Sequence, residues 1–223
     1  MNVVSIAIDG PSGAGKSTLA KKLAERLGFV YVDTGAIYRT IGLRALRSGT
    51  DPRDAAAVAA MLEDVHLEIR YGEDGLQHMI LDGEDVTEEI RLPEVSRYAS
   101  QVSAHPCVRD YLLEMQRSLA RTHSVIMDGR DIGTVVLPDA DVKIFLTAAP
   151  EERARRRCRE LEQRGTPQPY EEVLSDIRER DKNDMERPVA PLRQAEDAVL
   201  VDTTHLDFEA SLDTLENIIK EKL

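Results

Sequence analysis

The stretch Gly10-Pro11-Ser12-Gly13-Ala14-Gly15-Lys16-Ser17 decides the fold of this chain. It follows the apolar run Val3-Val4-Ser5-Ile6-Ala7-Ile8 and precedes a helical pattern, Leu19, Ala20, Leu23, Ala24, Leu27. Strand, glycine-rich loop and helix form the context in which G-x-x-x-x-G-K-[ST] binds phosphate. The glycines let successive N–H groups turn toward one anion. The helix opening near Lys16 aims its free N–H groups and positive dipole end at the same point. Lys16 is then expected to reach the outer phosphates of a nucleoside triphosphate, and the Ser17 hydroxyl to sit on the accompanying magnesium. Residues 10–17, with Thr18 just beyond, are the expected nucleotide-binding set. An ordinary glycine-rich turn is the plain alternative, and the flanking strand and helix argue against it.

Working outward, an apolar run of this kind suits a strand buried on both faces of a parallel sheet. Gly28 closes the first helix. Apolar runs recur at 29–32, 124–127, 142–146 and 198–201. Between them lie helical patterns at 34–48, 93–104, 106–121, 150–165, 168–186 and 208–222, plus a short Ala-rich helix ending at Leu62. For that last helix Asp51-Pro52 reads as N-cap and first-turn proline. Five strands separated by helices predict an α/β fold, a five-stranded parallel sheet with helices on both faces. Between 65 and 90 the pattern alternates, at His66-Leu67-Glu68-Ile69-Arg70 and His78-Met79-Ile80-Leu81, with Gly72, Gly75 and Asp82-Gly83 at the turns. This predicts a small antiparallel β insert. One domain, 1–223, is expected, with its core in 1–62, 105–149 and 188–223. The insert would span 63–104, and a helical lid 150–187 would hinge at Gly165-Thr166-Pro167.

The chain has 223 residues, 42% apolar and 31% charged, so a soluble globular protein is expected. No apolar run approaches transmembrane length, and no basic-then-apolar signal pattern opens the chain. Cys107 and Cys158 are its two cysteines, far apart and in no metal spacing. A reducing, cytoplasmic setting without disulfides follows. With 29 Lys and Arg against 41 Asp and Glu, the formal charge is −12. That balance argues against general nucleic-acid binding, and nothing points to a membrane partner. Without a long heptad or large apolar patch, a monomer is expected.

Ligands of such sheets sit beyond the carboxyl ends of the strands. Four polar clusters fall there: 10–17, 33–39, 128–131 and the loop after Leu146. In Asp128-Gly129-Arg130-Asp131, Asp128 ends a core strand beside the phosphate loop, where an aspartate supports magnesium directly or through water. A turn cap would account for Asp128 alone, but not for Arg130 and Asp131 together. By spacing alone, Thr34 as an N-cap and Arg39 as a surface residue are about as expected as a functional role for the two. Six arginines (Arg153, Arg155, Arg156, Arg157, Arg159 and Arg164) crowd the helix after Pro150. About half are accounted for by pairs with Glu151, Glu152, Glu160 and Glu162 on a solvated face. Arg180, Asp184 and Arg187 differ, since they continue the apolar stripe of Val173 and Ile177. Charges on a buried face need a partner inside a cleft, and guanidinium forks match phosphoryl oxygens.

Missing signatures narrow the chemistry. Asp181-Lys182-Asn183-Asp184 is the wrong order for a guanine-reading Asn-Lys-x-Asp, and Asp128 is followed by Gly129 rather than the Glu of a mechanical ATPase. Gly13-Ala14-Gly15 runs into Lys16, so no dinucleotide fingerprint forms. No Ser/His or Cys/His nucleophile system stands out among five histidines. An acceptor that is itself a phosphate needs none, because its oxygen is already anionic near neutral pH.

With these residues in place, the chain resembles the bacterial cytidylate kinases, P-loop kinases of nucleoside monophosphates. The resemblance covers essentially the whole chain. It rests on Ile8-Asp9 with residues 10–17, Asp33-Thr34-Gly35-Ala36-Ile37-Tyr38-Arg39, Ala99-Ser100-Gln101-Val102, and Asp128-Gly129-Arg130-Asp131-Ile132-Gly133-Thr134-Val135-Val136. Glu179-Arg180-Asp181 and Val189-Ala190-Pro191-Leu192 add to it. The resemblance implies transfer of the γ-phosphoryl of ATP, with Mg2+, to CMP or dCMP. It further implies that Arg39, Arg130 and Arg180 clamp the acceptor phosphate. Ser100, Arg109 and Asp131 would face the cytosine and Asp184 the ribose, with Thr34 and Tyr38 lining the pocket. Arg153, Arg157 and Arg187 would contact the transferring phosphates. A kinase of UMP, AMP or shikimate would share the phosphate loop, as would a nucleotide-binding regulator. The separate signature at 34–39 speaks against the regulator.

Overall fold

The computed structural model describes residues 3–73, 75–163 and 165–223. Arg164 lies outside the described residues. In chain order the strands are β1 (Ser5–Asp9), β2 (Val30–Asp33), β3 (Leu67–Tyr71), β4 (Gln77–Leu81), β5 (Glu84–Asp85), β6 (Val125–Gly129), β7 (Val142–Thr147) and β8 (Val199–Asp202). The helices are α1 (Lys16–Leu27), α2 (Thr34–Ser48), α3 (Ala55–Leu62), α4 (Pro93–Val102), α5 (Pro106–Thr122), α6 (Pro150–Gln163), α7 (Tyr170–Glu186) and α8 (Phe208–Lys222). Five strands form one parallel sheet in the order β2-β6-β1-β7-β8, as expected.

Alternation along β1 explains the two layers. Ala7 packs into the core beneath α2, α4 and α5, with Val32 and Met127. Ile6 and Ile8 face the opposite core, with Leu19 and Leu23 of α1 and Leu212 and Leu215 of α8. Successive strand residues point to opposite faces, so a sheet covered on both sides needs apolar residues at every position. Fully burying one such side chain contributes roughly 1.5–3 kcal/mol.

The insert is the three-stranded antiparallel sheet β3-β4-β5. It docks on β2, the edge of the central sheet. Gln77 Oε1 accepts from the Asp33 amide at 2.8 Å, and its Nε2 donates to the Asp33 carbonyl at 3.2 Å. Tyr71 adds a hydrogen bond to the Tyr31 carbonyl at 3.2 Å. Side chains thus satisfy the edge backbone that another strand would have paired. α4 lies directly against α2, where a Cβ at Gly42 would stand 2.6 Å from the Ala99 amide nitrogen. That close crossing brings Ser100 over the sheet's carboxyl edge.

Two local expectations need correction. The Ala-rich helix is capped by Asp54, whose side chain accepts from the amides of Ala56 and Ala57, not by Asp51. Pro52 is buried and its carbonyl is held by His105 Nε2 at 2.9 Å, which keeps 51–53 in a turn. α2 is capped by Asp33 through the Ala36 amide at 2.8 Å, which leaves the Thr34 hydroxyl free for another partner. Helices α6 and α7 form a hairpin with a small core of its own: Ala154, Leu161, Val173, Leu174 and Ile177.

Candidate active site

The carboxyl ends of β1, β2 and β6 and the start of α1 enclose a polar cleft of about 160 Å³. α1 opens at Lys16 with no side-chain cap on its first amides and no acid in its first turn. No cap or acid of the helix's own first turn therefore answers the amides facing the loop. Pro11, Ala14 and Lys16 are buried, Gly13, Ser17 and Thr18 exposed. Lys16 Nζ donates to the Pro11 carbonyl at 2.8 Å, curled across its own loop. Burial, then the Arg130 charge, pushes its pKa down to about 7.

Ser17 Oγ donates to Asp128 Oδ2 at 2.9 Å, which joins the two expected magnesium residues. The other Asp128 oxygen accepts from the Tyr31 hydroxyl at 2.8 Å. Burial, reinforced by Asp33, raises the Asp128 carboxyl above the ordinary range. A hydroxyl and a carboxylate oxygen are hard donors of the kind Mg2+ takes, with the remaining positions left to water and phosphate. The residues present fit the ion.

Around the acceptor side, buried charges meet across elements. Thr34 Oγ1 donates to the Asp128 carbonyl at 2.6 Å, fastening α2 to β6. Arg130 Nε reaches Asp184 Oδ2 at 2.7 Å, from β6's end to α7. Asp131 sits between Arg109, which donates to Oδ2, and Arg187, 3.3 Å from Oδ1. The Arg109 guanidinium also stacks over Tyr38, 5.4 Å from the ring centroid, and reaches the Ser103 carbonyl. Arg39 pairs with Asp33 at 3.1 Å while its buried Nε has no partner. Burial alone would raise the Asp33 carboxyl, but Arg39 and Arg91 hold it below its usual value.

Arg180 stands apart. Its Nε is buried without a hydrogen-bond partner, and burial followed by repulsion from Arg130 pulls its pKa down to about 10. Six cations line the cleft, Lys16, Arg39, Arg109, Arg130, Arg180 and Arg187, against four carboxylates, Asp33, Asp128, Asp131 and Asp184. In a chain of net charge −12 this local surplus of positive charge suits an anion.

The cleft thus gathers Lys16, Ser17, Thr34, Tyr38, Arg39, Ser100, Arg109, Asp128, Arg130, Asp131, Arg180, Asp184 and Arg187. Of the expected residues, Gly10, Pro11, Ala14, Gly15 and Thr18 of the loop do not line it, and neither do Arg153 and Arg157. Arg153 is 3% exposed and fully engaged: with Asp181 at 2.6 Å, the Ala148 carbonyl at 2.8 Å and the Ser12 carbonyl at 3.0 Å. It braces the phosphate loop from behind. Arg157 pairs with Glu160 at 3.0 Å on the hairpin surface. Sequence reasoning missed Tyr31, Arg91, Gln77 and Ser103. Tyr31 carried a signal, as a hydroxyl in an otherwise apolar strand two residues before Asp33, and Ser103 directly follows the segment 99–102; Gln77 and Arg91 sit in the insert, away from any motif.

A doubly covered parallel sheet, a phosphate loop after its central strand and a cation-rich cleft at its carboxyl edge define a P-loop phosphotransferase. The sequence matches the cytidylate kinase family over residues 6–221. It is 53% identical to the cytidylate kinase of Caldicellulosiruptor bescii, over 95% of this chain and 93% of that one. Identity is 51% with the cytidylate kinase of an Exiguobacterium species (98% and 97% covered) and 49% with that of Geobacillus kaustophilus (99% and 98%). A crystal structure of an uncharacterized protein from Eubacterium ventriosum shares the fold, with TM-score 0.52, 14% identity, and 97% and 98% covered. The chain belongs to the cytidylate kinase family. No helix among the described residues is long and apolar enough to cross a membrane.

Proposed function

We propose that this enzyme transfers the γ-phosphoryl group of ATP to CMP or dCMP, giving ADP and CDP or dCDP. The observation that carries the proposal is Arg180, whose buried Nε has no hydrogen-bond partner, set in one cleft with Arg39, Arg130 and the Asp131 pair. A cation held unpaired in low dielectric is costly unless an anion completes it, and an acceptor phosphate supplies that anion. ATP would lie on residues 10–18, its outer phosphates drawn to Lys16. Arg39, Arg130 and Arg180 would clamp the acceptor phosphate, with Ser100, Arg109 and Asp131 toward the base, Asp184 toward the ribose, and Thr34 and Tyr38 as walls.

No general base is required, because the attacking oxygen is already anionic; catalysis reduces to alignment and charge neutralisation. Ser17 and Asp128 would hold Mg2+, which would supply positive charge against the charge developing in transfer. Arg187, and Arg157 once the hairpin closes, would neutralise the moving phosphoryl group, while Arg153 would act through Ser12 of the loop. The enzyme is taken as a cytoplasmic monomer, the second of which light scattering on the purified protein tests. The decisive experiment is a panel of CMP, dCMP, UMP, AMP and shikimate in a coupled ADP-release assay. CMP or dCMP should dominate kcat/KM. Preference for another acceptor, or ATP turnover indifferent to all of them, would overturn the proposal.

A further inference from the structure

Asp9 is the last residue of β1, directly before the phosphate loop, and it is 4% exposed. Its carboxylate does not face the loop. Oδ1 accepts from the Ile132 amide at 2.8 Å and Oδ2 from the Gly133 amide at 2.7 Å. These amides open a π-type turn, Ile132–Val136, immediately after Arg130 and Asp131. The first N–H groups of any such turn have no partner within it. Two N–H groups on successive residues need two acceptor oxygens side by side, and among side chains a carboxylate meets that need on its own. The approach is close: a Cβ at Gly133 would lie 3.4 Å from Asp9 Oδ2 and 3.2 Å from Lys143 Cδ. At the other end of the turn, Arg117 donates to the carbonyls of Val135 and Val136, each at 2.9 Å. An anion on the amide end and a cation on the carbonyl end fix the segment along its own dipole.

We infer that Asp9 is a positioning residue, which locks the acceptor-reading segment Arg130-Asp131 to the strand that carries the phosphate loop. The inference rests on the functional reading above, because it assigns that segment to the acceptor. A buried carboxylate costs more than an apolar residue of similar volume, so stability alone does not call for one here. Burial raises the Asp9 pKa to about 6 despite its two amide bonds, a further sign of that cost. In return, the spacing between donor and acceptor phosphates is set by one rigid link rather than by two independent loops. Misplacing reacting groups by about 1 Å costs on the order of 10² in rate.

The experiment pairs Asp9→Asn with Gly133→Ala, which disturbs the same contact from the other side. In Asp9→Asn an amide NH2 faces the Gly133 N–H, so one bond is replaced by a clash of donors. In both folded variants, KM for CMP should rise and kcat fall, with kcat/KM for CMP down at least about tenfold. KM for ATP should stay within about twofold, since the loop's own contacts are intact. Hydrogen exchange at Ile132 and Gly133 should quicken while β1 keeps its protection. Equal rises in both KM values would assign Asp9 to the phosphate loop and overturn the inference. Unchanged kinetics would overturn it too, as would failure of both variants to fold. A parent inactive on CMP would sink the functional reading instead, and exchange at Ile132 and Gly133 would still decide this one.

Discussion

Helix α6 and the acceptor cleft are both rich in arginine, and they use it in opposite ways. On α6, Arg155 and Arg156 pair with Glu152, Arg157 with Glu160, and Glu151 takes Arg178 from α7. Such pairs near solvent contribute about 0–1 kcal/mol each. In the cleft, Arg39, Arg109, Arg130 and Arg187 reach aspartates on other elements, and Arg180 reaches none. The difference is dielectric. Where water competes, arginine density says little about function; where water is excluded, each cation must be answered by a distant carboxylate or by a ligand. Function lies with the charges that are expensive to hold, not with those that are numerous.

The contrast can be broken most directly at Lys16. Lys16→Ala should leave the fold intact by circular dichroism and cut turnover on the order of 10²–10³, the loss expected for one preorganised electrostatic contact. Arg155→Ala, removing an exposed guanidinium of α6, should stay within about twofold in the same assay. Comparable losses in the two variants would erase the distinction.

Arg180 sharpens the contrast because activity and stability should move in opposite directions. Arg180→Met removes a guanidinium whose buried Nε no protein group answers. Relieving about 1 kcal/mol in a domain of this size should raise the melting temperature of the free protein by about 2–4 °C. The same variant should lose roughly 10² in kcat/KM for CMP, because the acceptor phosphate loses a partner. A fall in both would mean that Arg180 serves the fold.

Asp131 is the next largest case. Cytosine presents an amino donor where uracil presents a carbonyl, and an ionised carboxylate can only accept. Asp131→Asn should lower the CMP-over-UMP ratio of kcat/KM by about tenfold, or about 1.4 kcal/mol. Asp131 also holds Arg109 and Arg187. If that were its whole task, both substrates would weaken together and the ratio would hold.

Much of this was legible in the chain. All five core strands announced themselves as apolar runs, because a strand covered on both faces has no room for polar alternation. Residues 10–17 fixed the phosphate loop through local backbone chemistry, and the i, i+4 placement of Arg180 and Asp184 put them on the inward face of α7, with Arg187 just past its end. What was hidden depends on tertiary contact. Gln77 and Arg91 matter because the insert docks on β2, and nothing local to them says so. Asp54 displaced Asp51 as a cap because Pro52 is held by His105, 53 residues away. Arg153 looked like a free lid cation, and its engagement with Ser12 and Asp181 follows from how the hairpin packs on the loop.

The smallest effect is expected at Arg157, where the comparison between the two regions is least secure. Its partner Glu160 lies one turn away on the same helix, and an i,i+3 pair is worth about 0.2–0.5 kcal/mol. Swinging the guanidinium off Glu160 toward an incoming phosphate is therefore cheap. Because the hairpin has a core of its own, closure of α6 and α7 as a unit would leave both faces of the sheet packed. If closure delivers Arg157 only after both substrates bind, its loss falls on turnover: Arg157→Ala should lower kcat by a few-fold, roughly 1 kcal/mol or less, and leave KM for CMP unchanged. Amide exchange across residues 150–186 should slow when CMP and a non-hydrolysable ATP analogue are added together, since only then do these arginines gain phosphate partners. Equal exchange with and without ligands, together with an unchanged kcat, would return Arg157 to the solvated face. The divide between costly and numerous arginines would then run between the cleft and the hairpin surface, with Arg153 buried behind the loop.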